Sequence, residues 1–204
     1  VARAIELRPE HLSLYALTGD PGTLFHRRAA DGRRPVPDED LVADMYEAST
    51  AALTRAGYEQ YEVSNWSLGS GHVCRHNLVY WQNGEYLGLG PGAHSWFGGR
   101  RFEEIRSPRA WIARVGLGES REANVETISA ELEFRETLML GLRLSVGIDL
   151  DAVGRRFGID AWRKLMRPLA ETNALGLTEV VGRRIRVQSS ARLLGNEVFR
   201  RFLL

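Results

Sequence analysis

The order of elements in the first third of the chain limits its fold more than any other feature. Residues His11 to Thr18, HLSLYALT, form a short, mostly apolar run that ends at Gly19-Asp20-Pro21-Gly22. Such a run, closed by a strong turn signal, reads as a buried strand. Asp38 then has the chemistry of a helix N-cap, and Glu39 and Asp40 fall in the first turn, where carboxylates meet the positive end of the helix dipole. Leu41, Met45, Ala48, Ala52 and Leu53 recur at helical spacing, and Gly57 supplies the stop. Tyr58 to Ser64, YEQYEVS, alternates and is rich in strand formers. Strand, helix, strand is a crossover unit, and a crossover implies a parallel sheet. The connection up to Pro37 is long, polar and rich in arginine, with a short helix predicted over Thr23 to Ala30. Long loops after strands often carry function.

Beyond residue 64 the chain holds a glycine-rich SLGSGH, then HNLVYW, an Asn83-Gly84 turn, and EYLGLGPG. The last of these reads as a third strand, Glu85 to Gly92, ending in a Gly-Pro-Gly turn. For HNLVYW a helical turn is favoured over the first arm of an Asn-Gly hairpin. From about Pro108 the pattern turns helical. Helices are expected over 127–144, 149–157 and 159–173, a hairpin turning at Gly182, and a last helix over 190–203. The fold class expected is α/β, with residues 1–107 forming one domain and a mainly helical, winged-helix-like domain filling 108–204. Three strands with one crossover helix neither close a barrel nor complete a doubly wound sheet. Sheet partners for the first strand are therefore expected on further chain, and 1–204 alone is expected to expose an apolar edge.

Composition narrows the class. Hydrophobic residues make up 44% of the 204, enough for packed cores. The formal net charge is +1, from 27 basic and 26 acidic residues, which argues against a general attraction to nucleic acid or anionic membrane. Lys164 is the only lysine. The one cysteine, Cys74, cannot form an internal disulfide, and no apolar run approaches the roughly 20 residues of a membrane span, so a cytoplasmic location is expected.

The densest polar and aromatic stretch is HVCRHNLVYW, His72 to Trp81. On an extended chain His72, Cys74 and His76 would share one face, but their spacing is not that of a zinc finger or ribbon. His76 with Tyr80 and Trp81 has the makings of a haem contact: an imidazole nitrogen for the iron, aromatic faces for the porphyrin. The plainer reading is a buried histidine with two core aromatics. GLGPGAHS, Gly88 to Ser95, lacks both the G-x-G-x-x-G pattern and a P-loop lysine. Its glycines suit a tight turn with close backbone approach. Arg183, Arg184 and Arg186 sit in the hairpin where a winged helix meets phosphate, but the preceding helix offers few base-reading side chains, and nucleic acid is not the expected partner. No catalytic residue stands out.

HLSLYALT with DPGT, PDEDLVADMYE, GYEQYEVSN, CRHNLVYW and YLGLGPGAHS follow one another in a fixed order. That series closely resembles the HemW-type haem-chaperone branch of the oxygen-independent coproporphyrinogen III oxidase-like radical-SAM family, over nearly the whole chain but only the latter part of a full-length member. The resemblance implies the C-terminal portion of a partial (β/α) radical-SAM barrel, then a helical accessory domain. It implies a [4Fe–4S] cluster and S-adenosylmethionine in the full-length protein, with cluster cysteines that this chain lacks. HNLVYW resembles the HNxxYW motif of the chaperone branch. By that likeness His76, Tyr80 and Trp81 are haem candidates, with His76 as the iron ligand, and Thr18, Asn77, Leu78 and His94 are S-adenosylmethionine candidates. The partners implied are haem, haem-acceptor proteins, a peripheral membrane contact made through acceptors, and the missing barrel half. The alternative is an enzyme of the oxidase type, which removes the carboxyl groups of porphyrinogen propionates.

Overall fold

The computed structural model describes residues 1–17, 20–31 and 38–203. Thr18 lies outside the described residues. The chain divides into two compact units, Val1–Cys74 and Arg75–Leu204. The boundary expected from sequence fell at 107/108.

The first unit contains α1 (Ala2–Glu6), β1 (His11–Ser13), α2 (Leu24–Ala30), α3 (Glu39–Arg55), β2 (Glu59–Glu62) and β3 (Asn65–Ser67). Asp38 caps α3 as its chemistry requires, its carboxylate accepting from the Leu41 amide at 2.7 Å. The sheet order is β1-β3-β2, with both pairings antiparallel. β1 and β2 therefore run the same way, as a crossover demands, but they are not neighbours. Val63 and Ser64 reverse the chain and β3 inserts between them. Closing so short a loop costs far less entropy than bringing β1 to β2 across the helix. Leu53, Tyr58 and Trp66 form the core, with Leu12, Leu14 and Tyr46 packed against it. Tyr58 donates its hydroxyl to the Pro9 carbonyl at 2.6 Å.

The second unit opens with α4 (Arg75–Trp81), so the helical reading of HNLVYW holds. It continues with β4 (His94–Phe97), β5 (Arg100–Glu104), α5 (Pro108–Leu117) and β6 (Glu122–Thr127), whose sheet order is β4-β5-β6. α6 (Ala130–Gly141), β7 (Ile148–Asp149), α7 (Leu150–Phe157), α8 (Ala161–Ala174), β8 (Thr178–Val181), β9 (Arg184–Val187) and α9 (Gly195–Phe202) complete it, with a sheet ordered β7-β9-β8. The core is built from Phe134, Leu138, Leu150, Leu165, Ile185 and Phe199 among others.

Three expectations change here. Glu85 to Gly92 is not a strand. It makes one bridge, Tyr86 with Trp96, and then turns away. The strand falls one segment later, in a β4–β5 hairpin whose two turn residues, Gly98 and Gly99, both have positive φ (58° and 71°), the geometry that matches strand twist. The mainly helical region after 108 contains, besides the expected hairpin, a strand that was not expected: β6 adds to β5 through an irregular register in which Asn124 takes φ 50°. The extended face proposed for His72, Cys74 and His76 does not form. Ser70–His72 is a 3₁₀ turn and Arg75 begins a helix.

Candidate functional site

α4 is a seven-residue helix, too short to stand alone in water, so its surroundings must hold it. They do so at its C-terminal end. The Gly84 amide returns to the Val79 carbonyl at 2.8 Å. Buried Asn83 takes φ 49° and donates Nδ2 to Thr137 Oγ1 on α6 at 3.0 Å. Arg156 on α7 donates to the Gln82 and Asn83 carbonyls at 3.2 and 2.9 Å and to Glu133 Oε1 at 2.7 Å. A cation on the last carbonyls of a helix satisfies acceptors that the helix leaves open and complements its dipole.

On this anchored helix, His76 and Tyr80 lie four residues apart and share a face. Their rings meet edge-on with centroids 4.9 Å apart, and Tyr80 in turn meets Tyr86 at 4.7 Å. Burial raises the phenol pKa of Tyr86, and the neighbouring Tyr80 adds to the rise. The His76 imidazole is exposed. The arrangement is an accessible imidazole backed by two edge-to-face phenol rings. Trp81 is placed differently. Five residues on from His76, it leaves the other side of the helix, where its ring lies under the Arg143 guanidinium at 5.4 Å. Arg143 also covers Phe199 of α9, at 4.8 Å. His76 and Tyr80 thus come together as the sequence suggested, and Trp81 serves the packing behind them.

Of the S-adenosylmethionine candidates, Asn77 and Leu78 are half-buried on α4, and His94 is exposed at the start of β4. His94 Nε2 stands 3.4 Å from Glu103 Oε2, its cross-strand partner. Glu103 is a residue that sequence reading passed over. It is 4% exposed, accepts from Arg106 at 3.0 Å and also accepts from Asn124. Hydrogen bonding to Arg106 holds its carboxyl below the usual carboxylate range, against the opposing effect of burial. Only its place opposite His94 in a hairpin marks it, and the signal for that hairpin, Gly98-Gly99, went unread. The glycines of GLGPG have a backbone reason: a Cβ on Gly88 would stand 2.3 Å from the His94 carbonyl oxygen. The donor set does not suit an iron–sulfur cluster. Cys74 is the sole cysteine, and among the described residues no three metal-ligating side chains converge. Among those residues, too, no helix is long and apolar enough to cross a membrane.

Comparison with known proteins defines the class. The HemN C-terminal domain family matches residues 128–194. The solved structure of coproporphyrinogen III oxidase (HemN) from Escherichia coli, a radical-SAM enzyme, superposes with a TM-score of 0.74 at 18% identity, covering 98% of this chain and 49% of that one. At that identity the match speaks for the fold alone. The chain is 34% identical over 203 residues to the heme chaperone HemW of Mycobacterium tuberculosis, covering 100% of this chain and 50% of the relative. Against HemW of Bacillus subtilis it is 30% identical, covering 98% of this chain and 52% of the relative. The chain belongs to the HemN- and HemW-related radical-SAM family and spans about half the length of the curated relatives it matches.

Proposed function

We propose that this chain is the haem-binding portion of a HemW-like haem chaperone, with His76 as the iron ligand and Tyr80 against the porphyrin. The observation that carries the reading is the exposed His76 imidazole, edge-on to Tyr80, which in turn meets Tyr86, on a short helix clamped at its far end. A loose helix would spread the imidazole over many orientations, whereas a clamped one presents it ready to bind. Trp81 supports the helix from behind. Similarity to proteins named as heme chaperones points the same way.

In the longer family form, residues 1–107 would complete a radical-SAM barrel and 108–204 would be the accessory domain. Chain beyond these residues would bring the cluster cysteines. Asn77, Leu78 and His94 would line part of the S-adenosylmethionine site. The acceptors would be apo-haemoproteins of the cytoplasm or the inner membrane surface. The test is a haem titration of the chain followed in the Soret band, against His76→Ala. Saturable binding that weakens in the variant supports the assignment. An unchanged spectrum and affinity in a folded variant would remove His76 from the site.

A further inference from the structure

The geometry points to a second ligand site, remote in sequence from α4: a groove between α6 and α8, closed by α9, that takes an amphipathic organic acid with an apolar body and a carboxylate head. The groove has a volume of about 400 Å³, within the range of small-molecule sites. Its floor is apolar, made by buried Phe134, Leu165 and Phe202. Its rim is cationic. Arg135, Lys164, Arg167 and Arg201 line it against two carboxylates, Glu131 and Glu171. An apolar floor under an excess of positive charge selects a ligand that is greasy at one end and anionic at the other.

Two local features set this groove apart from an ordinary seam between helices. The first is Lys164, the one lysine in a chain whose other basic side chains are all arginine. Its ammonium stands 4.5 Å above the Phe134 ring and 2.5 Å from Glu131 Oε2. An ammonium is a compact, mobile point charge, suited to exchanging one carboxylate for another. Glu131, which Lys164 and Arg135 both contact, occupies the position that a ligand carboxylate would take. The second is Pro168, inside α8 and on the groove wall. It removes the amide that would meet the Lys164 carbonyl one turn earlier, which weakens the helix. Breaking a local rule in mid-helix marks a place where something other than helix stability is served.

Decanoate is a suitable probe, with decanol as the uncharged control. Calorimetric titration of the full chain should show saturable decanoate binding that salt weakens and decanol does not compete for. Lys164→Gln and Arg167→Glu, the latter on a rim side chain that is 90% exposed, should each weaken it at least fivefold, while His76→Ala leaves it unchanged. That last arm separates this site from the haem assignment. No decanoate binding by chain shown to be folded would overturn the proposal. So would equal binding of decanol, indifference to both rim variants, or capture of an acidic peptide without decanoate.

Discussion

Glu103 keeps its charge in a nearly closed setting because Arg106 and Asn124 both donate to it, and that has a pH signature. Its folded-state pKa lies below its ordinary value of 4.5. The carboxylate therefore contributes its full stabilisation above that value and loses it as pH falls through the lower folded value. Thermal melts carried from neutral pH into the acid range should show part of the acid loss of stability disappear in Glu103→Gln. An unchanged acid limb would mean that other carboxylates carry it. Gly88 makes a simpler case at the same scale. An alanine there meets the His94 carbonyl, so Gly88→Ala should cost about 1–3 kcal/mol and disturb the start of β4, read as a lowered Tm.

Among elements, α4 depends on its clamp. Asn83→Ala leaves the buried Thr137 hydroxyl without one of its partners and should cost about 1–2 kcal/mol. Arg156→Ala releases two carbonyls at once and should weaken haem binding through a misplaced His76 while His76 itself is intact. If haem affinity survives Arg156→Ala, the helix is held well enough by other contacts. In α8, Pro168→Ala restores a backbone donor and should raise Tm. Helices were the readable part of this chain: Asp38, Asp149 and Asp160 announce α3, α7 and α8 through side-chain caps, each of which forms. Strands were less readable where non-local pairing decides them. Nothing in EANVET marks β6, a strand of mostly polar residues that exists because β5 offers an edge. β3 was hidden inside NWS, since Val63-Ser64 carries no glycine or asparagine to advertise a reversal. Of the site, sequence reading grouped His76 with Tyr80 and Trp81 alike, and helical spacing brings only Tyr80 onto its face. The placement of Trp81 beneath Arg143 did not follow from the sequence, because Arg143 reaches it from 62 positions downstream.

At the scale of the whole molecule, apolar surface left open is the main liability. Leu89 is 92% exposed and Leu87 59%, both on the segment that sequence patterning took for a strand. Alternating leucines on a bridge-forming segment form a surface prone to association. Leu87→Ser with Leu89→Ser should raise the monodisperse fraction of the purified chain, measured by size-exclusion chromatography, without lowering Tm. Elsewhere the long-range organisation has an optical consequence. Trp81, at the end of the haem-proposed helix, shares the Arg143 guanidinium with Phe199 in the last helix of the chain. In a variant that keeps Trp81 as its one tryptophan, a change at Phe199 would therefore register as a shift in indole emission. That shared contact connects α9, one wall of the cation-rimmed groove, to the helix that bears His76.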